Sequence, residues 1–190
     1  MKPATTGQSE LIIVRSLADS DLGLFSAHRR GASSRQRAIA LTEIAAQQLL
    51  APQVFEDRRG AYDCICLYGD ETSREIRLIS KSGKNWRLGG RQLSGEAFGR
   101  LDSKDFVLIR SVRHNDGSSP ILLTFIGRCS ERLTQAGLVA TLGGPLEQSV
   151  AIFGDDAPEF EIFADLFPPV PARVAVRRAE LQLDIAQQHG

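Results

Sequence analysis

The chain has 190 residues, 42% of them hydrophobic and 24% charged, with 23 Lys or Arg balancing 23 Asp or Glu. This is the composition of a folded globular domain with at most an appended segment, and it excludes a largely disordered chain. No apolar run approaches the roughly 20 residues of a membrane-spanning helix, and MKPATTGQSE at the N-terminus has no apolar signal core, so a cytoplasmic protein is expected.

Residues 1–9 are polar and expected to fray. Glu10 to Leu17, ELIIVRSL, gathers Leu11, Ile12, Ile13 and Val14 into a buried strand. A long connection follows from Ala18 to Arg37, in which Leu24 and Phe25 are expected to anchor to the core and His28, Arg29, Arg30, Arg35 and Arg37 form a basic group. A connection of this length inside a compact domain is usually functional.

Ala38 to Leu41 extends as a short strand, and Thr42 then caps a helix, TEIAAQQLLA, whose apolar face is marked by Ile44, Leu49 and Leu50 and which Pro52 stops. Tyr62 to Tyr68 and Arg74 to Ser80 read as a hairpin across the turn at 69–73. Asn115-Asp116-Gly117 is a hairpin signal between Phe106 to Val112 and Ile121 to Ile126. Ser130 can cap a short helix ended by Gly137, and Leu138 to Leu142 and Val150 to Phe153 read as closing strands. About seven short strands with two short helices predict a closed or nearly closed antiparallel barrel.

Charge is unevenly placed. Arg77 to Arg113 holds nine Lys or Arg against three acids, on what reads as glycine-broken loops between strands. Residues 1–150 carry 20 cations and 16 acids, whereas 151–190 carry three and seven. That acidic tail interleaves Phe160, Ile162, Phe163, Leu166 and Phe167, breaks at Pro168, Pro169 and Pro171, and continues as an expected helix over 172–188. A basic, loop-rich surface suits an anionic ligand with hydrogen-bonding faces, nucleic acid first among them.

Catalytic patterns are weak throughout. The best approach to a metal-dependent nuclease is Asp63 with Glu75-Ile76-Arg77, where an arginine that cannot give up its proton stands in the place of lysine. No nucleophile elbow or phosphate loop is present. Cys64, Cys66 and Cys129 lack disulfide or zinc spacing and are expected to be buried free thiols, so no metal or cofactor is assigned.

The order of strand, SLADSDLGLFSAHRRG, strand RAIAL, helix TEIAAQQLLAP, basic SKSGKNWRLGGR and strand DFVLIRSV resembles the N-terminal effector domain of the EcoRII restriction endonuclease. It resembles more remotely the DNA-binding pseudobarrels of plant transcription factors. The resemblance covers roughly residues 10 to 145 and is one of pattern and order. It implies a mainly β fold with short helices, a seven-stranded DNA-binding pseudobarrel over 10–153, and an appended acidic and helical tail over 154–190. Two arms would grip the major groove. One is Ser20 to Arg37, with His28, Arg29, Arg30, Arg35 and Arg37; the other is Lys81 to Arg91, with Lys81, Lys84, Asn85, Arg87 and Arg91.

Arg and Lys can read guanine edges, Asn can read adenine, and the remaining cations can hold phosphates. Trp86 lies among these residues, either stacked on a base or, as the root of an arm, in the core. Arg110 and Arg113 could pair with Asp63 or Glu75. The implied function is a non-catalytic, sequence-specific double-stranded DNA-binding module of a restriction or defence system. Two alternatives are a protein-interaction subunit working through the acidic-aromatic tail and an endonuclease using Asp63 and Glu75.

Overall fold

The computed structural model describes residues 10–28, 37–111, 120–131 and 150–167. Eight strands form one sheet: β1 (Leu11–Ser16), β2 (Ala38–Leu41), β3 (Arg59–Tyr68), β4 (Glu71–Ser82), β5 (Asn85–Gly89), β6 (Phe106–Ser111), β7 (Ile121–Ile126) and β8 (Val150–Gly154). Their order in space is β2-β5-β4-β3-β7-β6-β1-β8. Every neighbouring pair is antiparallel except β3 with β7, which is parallel. The mainly β expectation holds, but among the described residues the sheet has eight strands rather than seven, and a parallel seam interrupts the antiparallel pairing.

Alternation along the strands explains how such a sheet closes on a core. Ile13, Ile39, Cys64, Ile79, Trp86, Ile109 and Leu123 come from seven different strands and belong to one buried cluster, against which Ile152 of β8 also packs. A sheet whose strands all send one face into a single cluster must curl around it. Leu24 and Phe25 plug that cluster from the 18–28 connection, as expected. Burial pushes the Cys66 thiol up to about 11 and raises Cys64 further. Cys129, by contrast, is exposed rather than buried.

Helix α1 (Glu43–Leu49) starts where expected, with the Thr42 hydroxyl accepting from the Ala45 amide at 3.2 Å. Its buried face keeps Leu49 and Leu50 but not Ile44. Ala45, Ala46 and Leu49 point inward, and Ile44 is exposed, because residues four apart share a face and Ile44 shares its own with Gln48. Pro52 opens a second helix, α2 (Pro52–Asp57), a position where its missing N–H costs nothing. Phe55 of α2 stacks on Trp86, ring centroids 5.2 Å apart.

The sheet's outer face is half covered. Helix α3 (Phe160–Ala164) is too short to persist alone. It is held because Phe160, Phe163 and Leu166 bury themselves on Ile12, Val14, Leu108 and Ile126. Phe163 also stacks on Phe153 of β8 at 4.6 Å. Phe167 reaches the neighbouring cluster of Ile65, Leu67 and Leu122. Arg110 pairs with Glu10 rather than with Asp63 or Glu75, and its guanidinium lies over the Phe160 ring at 5.7 Å. Among the described residues, no helix is long and apolar enough to cross a membrane. The expected elements at 131–137, 138–142 and 172–188, and the turn at 115–117, lie outside the described residues apart from Glu131.

Candidate nucleic-acid interface

The basic stretch around Trp86 is a hairpin rather than a loop. β4 and β5 pair from Leu78 with Gly89 to Ser82 with Asn85, leaving Gly83 and Lys84 as the turn. Gly83 has φ of +61°, a left-handed conformation that glycine adopts without the Cβ clash. Trp86 and Leu88 point inward while Asn85 and Arg87 are exposed. Trp86 is fully buried, so it roots the hairpin and does not present a ring to a base.

Two carboxylates hold this region still. Glu43 of α1 accepts from Lys81 Nζ at 2.6 Å and from Trp86 Nε1 at 3.0 Å. The hydrogen bond from Lys81 holds the Glu43 carboxyl below its ordinary value; burial opposes it, and the hydrogen bond from Trp86 and the charges of Lys81 and Arg58 each add a smaller lowering effect. Lys81 is therefore engaged within the fold. Glu71 accepts from the Ala97 amide at 2.9 Å and pins the loop after β5.

The two stretches expected as arms are joined at their roots. Leu93 donates to the Leu24 carbonyl at 2.8 Å and accepts from Ser26 at 2.9 Å, making a parallel bridge between Phe25 and Leu93. Gln92 Nε2 adds a bond to the Gly23 carbonyl at 2.9 Å. The first root is itself fixed by the buried ion pair of Arg15 with Asp21 at 2.7 Å. Beneath the second, the buried Arg77 pairs with Glu75 and donates to the Arg91 carbonyl at 3.1 Å. Its side chain lies where a Cβ on Gly90 would come within 3.1 Å, and Gly90 also has φ of +152°, so glycine is required there.

The cations now fall into two sets. Arg15, Arg74, Arg77, Lys81, Arg100 and Arg110 each face a carboxylate. Arg37, Arg58, Arg59, Lys84, Arg87, Arg91, Lys104 and Arg128 are exposed and, among the described residues, form no ion pair. Six of these eight, all but Lys104 and Arg128, belong to one end of the sheet, β2-β5-β4-β3, or to the residues bordering its strands. Arg59 pairs in register with Ser80, Ser80 with Arg87, and Arg87 with Ala40, so both arginines stand on one outer row.

Arg59 is absent from the sequence-derived set. Starting β3 three residues earlier than Tyr62 would have revealed it, but Arg-Gly-Ala carries no strand signal of its own. Of the expected residues, Arg37, Lys84, Asn85, Arg87 and Arg91 are exposed at this end of the sheet. His28 is half buried, its ring edge-on to Phe25 at 6.4 Å. Arg29, Arg30 and Arg35 lie outside the described residues.

The acidic residues proposed for metal chemistry do not meet. Asp63 pairs in register with Ile76 on the outer face, where Arg74 holds it with bonds of 3.0 and 3.1 Å, while Glu75 pairs with Cys64 on the inner one. Successive residues of a strand face opposite ways, so Asp63 and Glu75 cannot share one cation.

In fold, the chain is similar to the B3 domain of the UbaLAI restriction endonuclease solved with its cognate DNA. The identity is 12% and the TM-score 0.43, over 77% of this chain and 87% of that one. No family model matches the chain, and no curated protein matches it.

Proposed function

We propose that this chain is a sequence-specific double-stranded DNA-binding module of a restriction or defence system, and that it holds duplex DNA against the β2-β5-β4-β3 end of its sheet without cutting it. The observation that carries this reading is the partition of cations. Charges that stabilise a fold find carboxylates, whereas of the eight exposed cations without an ion pair six, Arg37, Arg58, Arg59, Lys84, Arg87 and Arg91, gather on or beside the strands at one end of the sheet. A cluster of unneutralised cations on a rigid surface is the electrostatic footprint of a polyanion site.

In this reading residues 10–153 are the binding domain, a pseudobarrel gripping the major groove. Lys84 and Asn85 sit at the hairpin tip, the part best able to enter a groove, where Asn85 can pair with adenine. Arg59 and Arg87 lie behind the tip and take phosphates or guanine edges. Lys81, Trp86 and Glu43 support the tip, and the Phe25–Leu93 bridge sets the spacing of the first arm from it.

The test is a fluorescence-anisotropy titration of the full chain with a pool of random-sequence duplexes at low salt, followed by selection of bound duplexes. Binding that weakens steeply with salt and enriches one sequence is expected. No binding at low salt would overturn the proposal. Binding without enrichment would leave a non-specific DNA-binding surface in its place.

A further inference from the structure

We propose that Ile76 and Leu78 on β4 contact the C5 methyl groups of thymines in the bound duplex and so set part of the sequence preference. The inference rests on the DNA-binding reading above. The two side chains stand 62% and 65% exposed on the outer face of a strand in the middle of a sheet, where large aliphatic groups gain nothing for the fold.

Their surroundings argue for what covers them. Leu78 pairs in register with Ala61 on one side and Gly89 on the other, with Ala38 beyond. Leu78 therefore projects above a floor of small residues. The next row toward the hairpin tip holds Arg59, Ser80, Arg87 and Ala40. On the other side Ile76 lies beside Asp63, whose charge Arg74 already neutralises.

An apolar protein partner seated on Ile76 and Leu78 would strip water from two arginines and give them nothing in return. Duplex DNA meets both needs, because phosphates neutralise the arginines while thymine offers the one methyl group on the base edges of the major groove. The cationic row and the aliphatic pair together match a polyanion with apolar points on it.

The experiment starts from the duplex selected as the tightest ligand. Each thymine is replaced in turn by uracil, which removes only the C5 methyl, and affinity is measured for the wild-type chain, Leu78→Ala and Ile76→Ala. Unchanged Trp86 fluorescence establishes that the variants are folded. Uracil at one or more positions is expected to weaken wild-type binding by about three- to tenfold. That penalty should vanish in one of the variants, which still binds.

A selected site without thymine, a wild-type chain indifferent to uracil everywhere, or penalties unchanged in both variants would overturn the inference and leave DNA binding intact. Absence of any duplex binding would instead remove the reading on which it rests. Should the variants keep the uracil response and change the molar mass seen by light scattering, the surface is a contact between protein chains and the inference falls.

Discussion

The outer face of β3 changes character halfway along its length. Arg59 and Ala61 are exposed, whereas Ile65 and Leu67 are buried beside Phe167, and the ion pair of Asp63 with Arg74 stands between the two regions. One sheet thus has a covered end, over β7, β6, β1 and β8, and an open end, over β3, β4, β5 and β2. The acidic segment belongs to the covered end, where aromatic side chains hold it and not charge attraction to the basic face. A large apolar side chain on the outer face is a stabilising residue at one end and a candidate ligand contact at the other, and its neighbours decide which.

The largest effect that could break this contrast is on stability. Phe163→Ala is expected to cost about 3–5 kcal/mol in urea unfolding, because it empties a fully buried site. Leu78→Ser, on the same face but exposed, should stay within about 0.5 kcal/mol. If the two cost the same, the open end is not open in solution.

Next comes the charge partition. Arg59→Ala with Arg87→Ala should leave the unfolding midpoint in place and lower the salt slope of DNA binding by about 2, roughly one for each lost phosphate contact. Arg110→Ala is expected to do the opposite. It removes a half-buried ion pair and two ring contacts at the cost of about 1 kcal/mol of stability, with the salt slope unchanged.

The smallest effect is pH-dependent. Glu43 has a lowered folded-state pKa, so its contribution is fully present above its ordinary value and is lost as pH falls through the depressed one. The gap in unfolding midpoint between wild type and Glu43→Gln should therefore be constant near neutrality and close in acid. Trp86, the only tryptophan and a partner of Glu43, reports the change by fluorescence.

Much of this could be read from the sequence where local patterns are strong. The apolar run of β1, the Thr42 cap and the strands β6 and β7 follow from periodicity alone. The basic stretch was harder, because Trp86 and Leu88 are only two inward positions among glycines and charges, too few to announce β5. Arg77 shows a second limit: alternation with Ile79 turns it inward, and what counts as a surface cation in composition becomes a buried strut for Arg91. The Phe25–Leu93 bridge spans 68 residues of chain, and no local signal encodes it.

The parallel seam between β3 and β7 also divides the chain by order of synthesis. On one side of it, β2, β3, β4 and β5 come from the continuous stretch 38–89. On the other, β1 precedes them while its two partners, β6 and β8, follow them. A chain emerging from the ribosome completes the cationic half first, from contacts short in sequence, while β1 waits for partners about 100 and 140 residues further on. Of the described strands, β1 is made first and enclosed last, and joining the second half to the finished first is the step at which slow folding and misassembly are expected to concentrate.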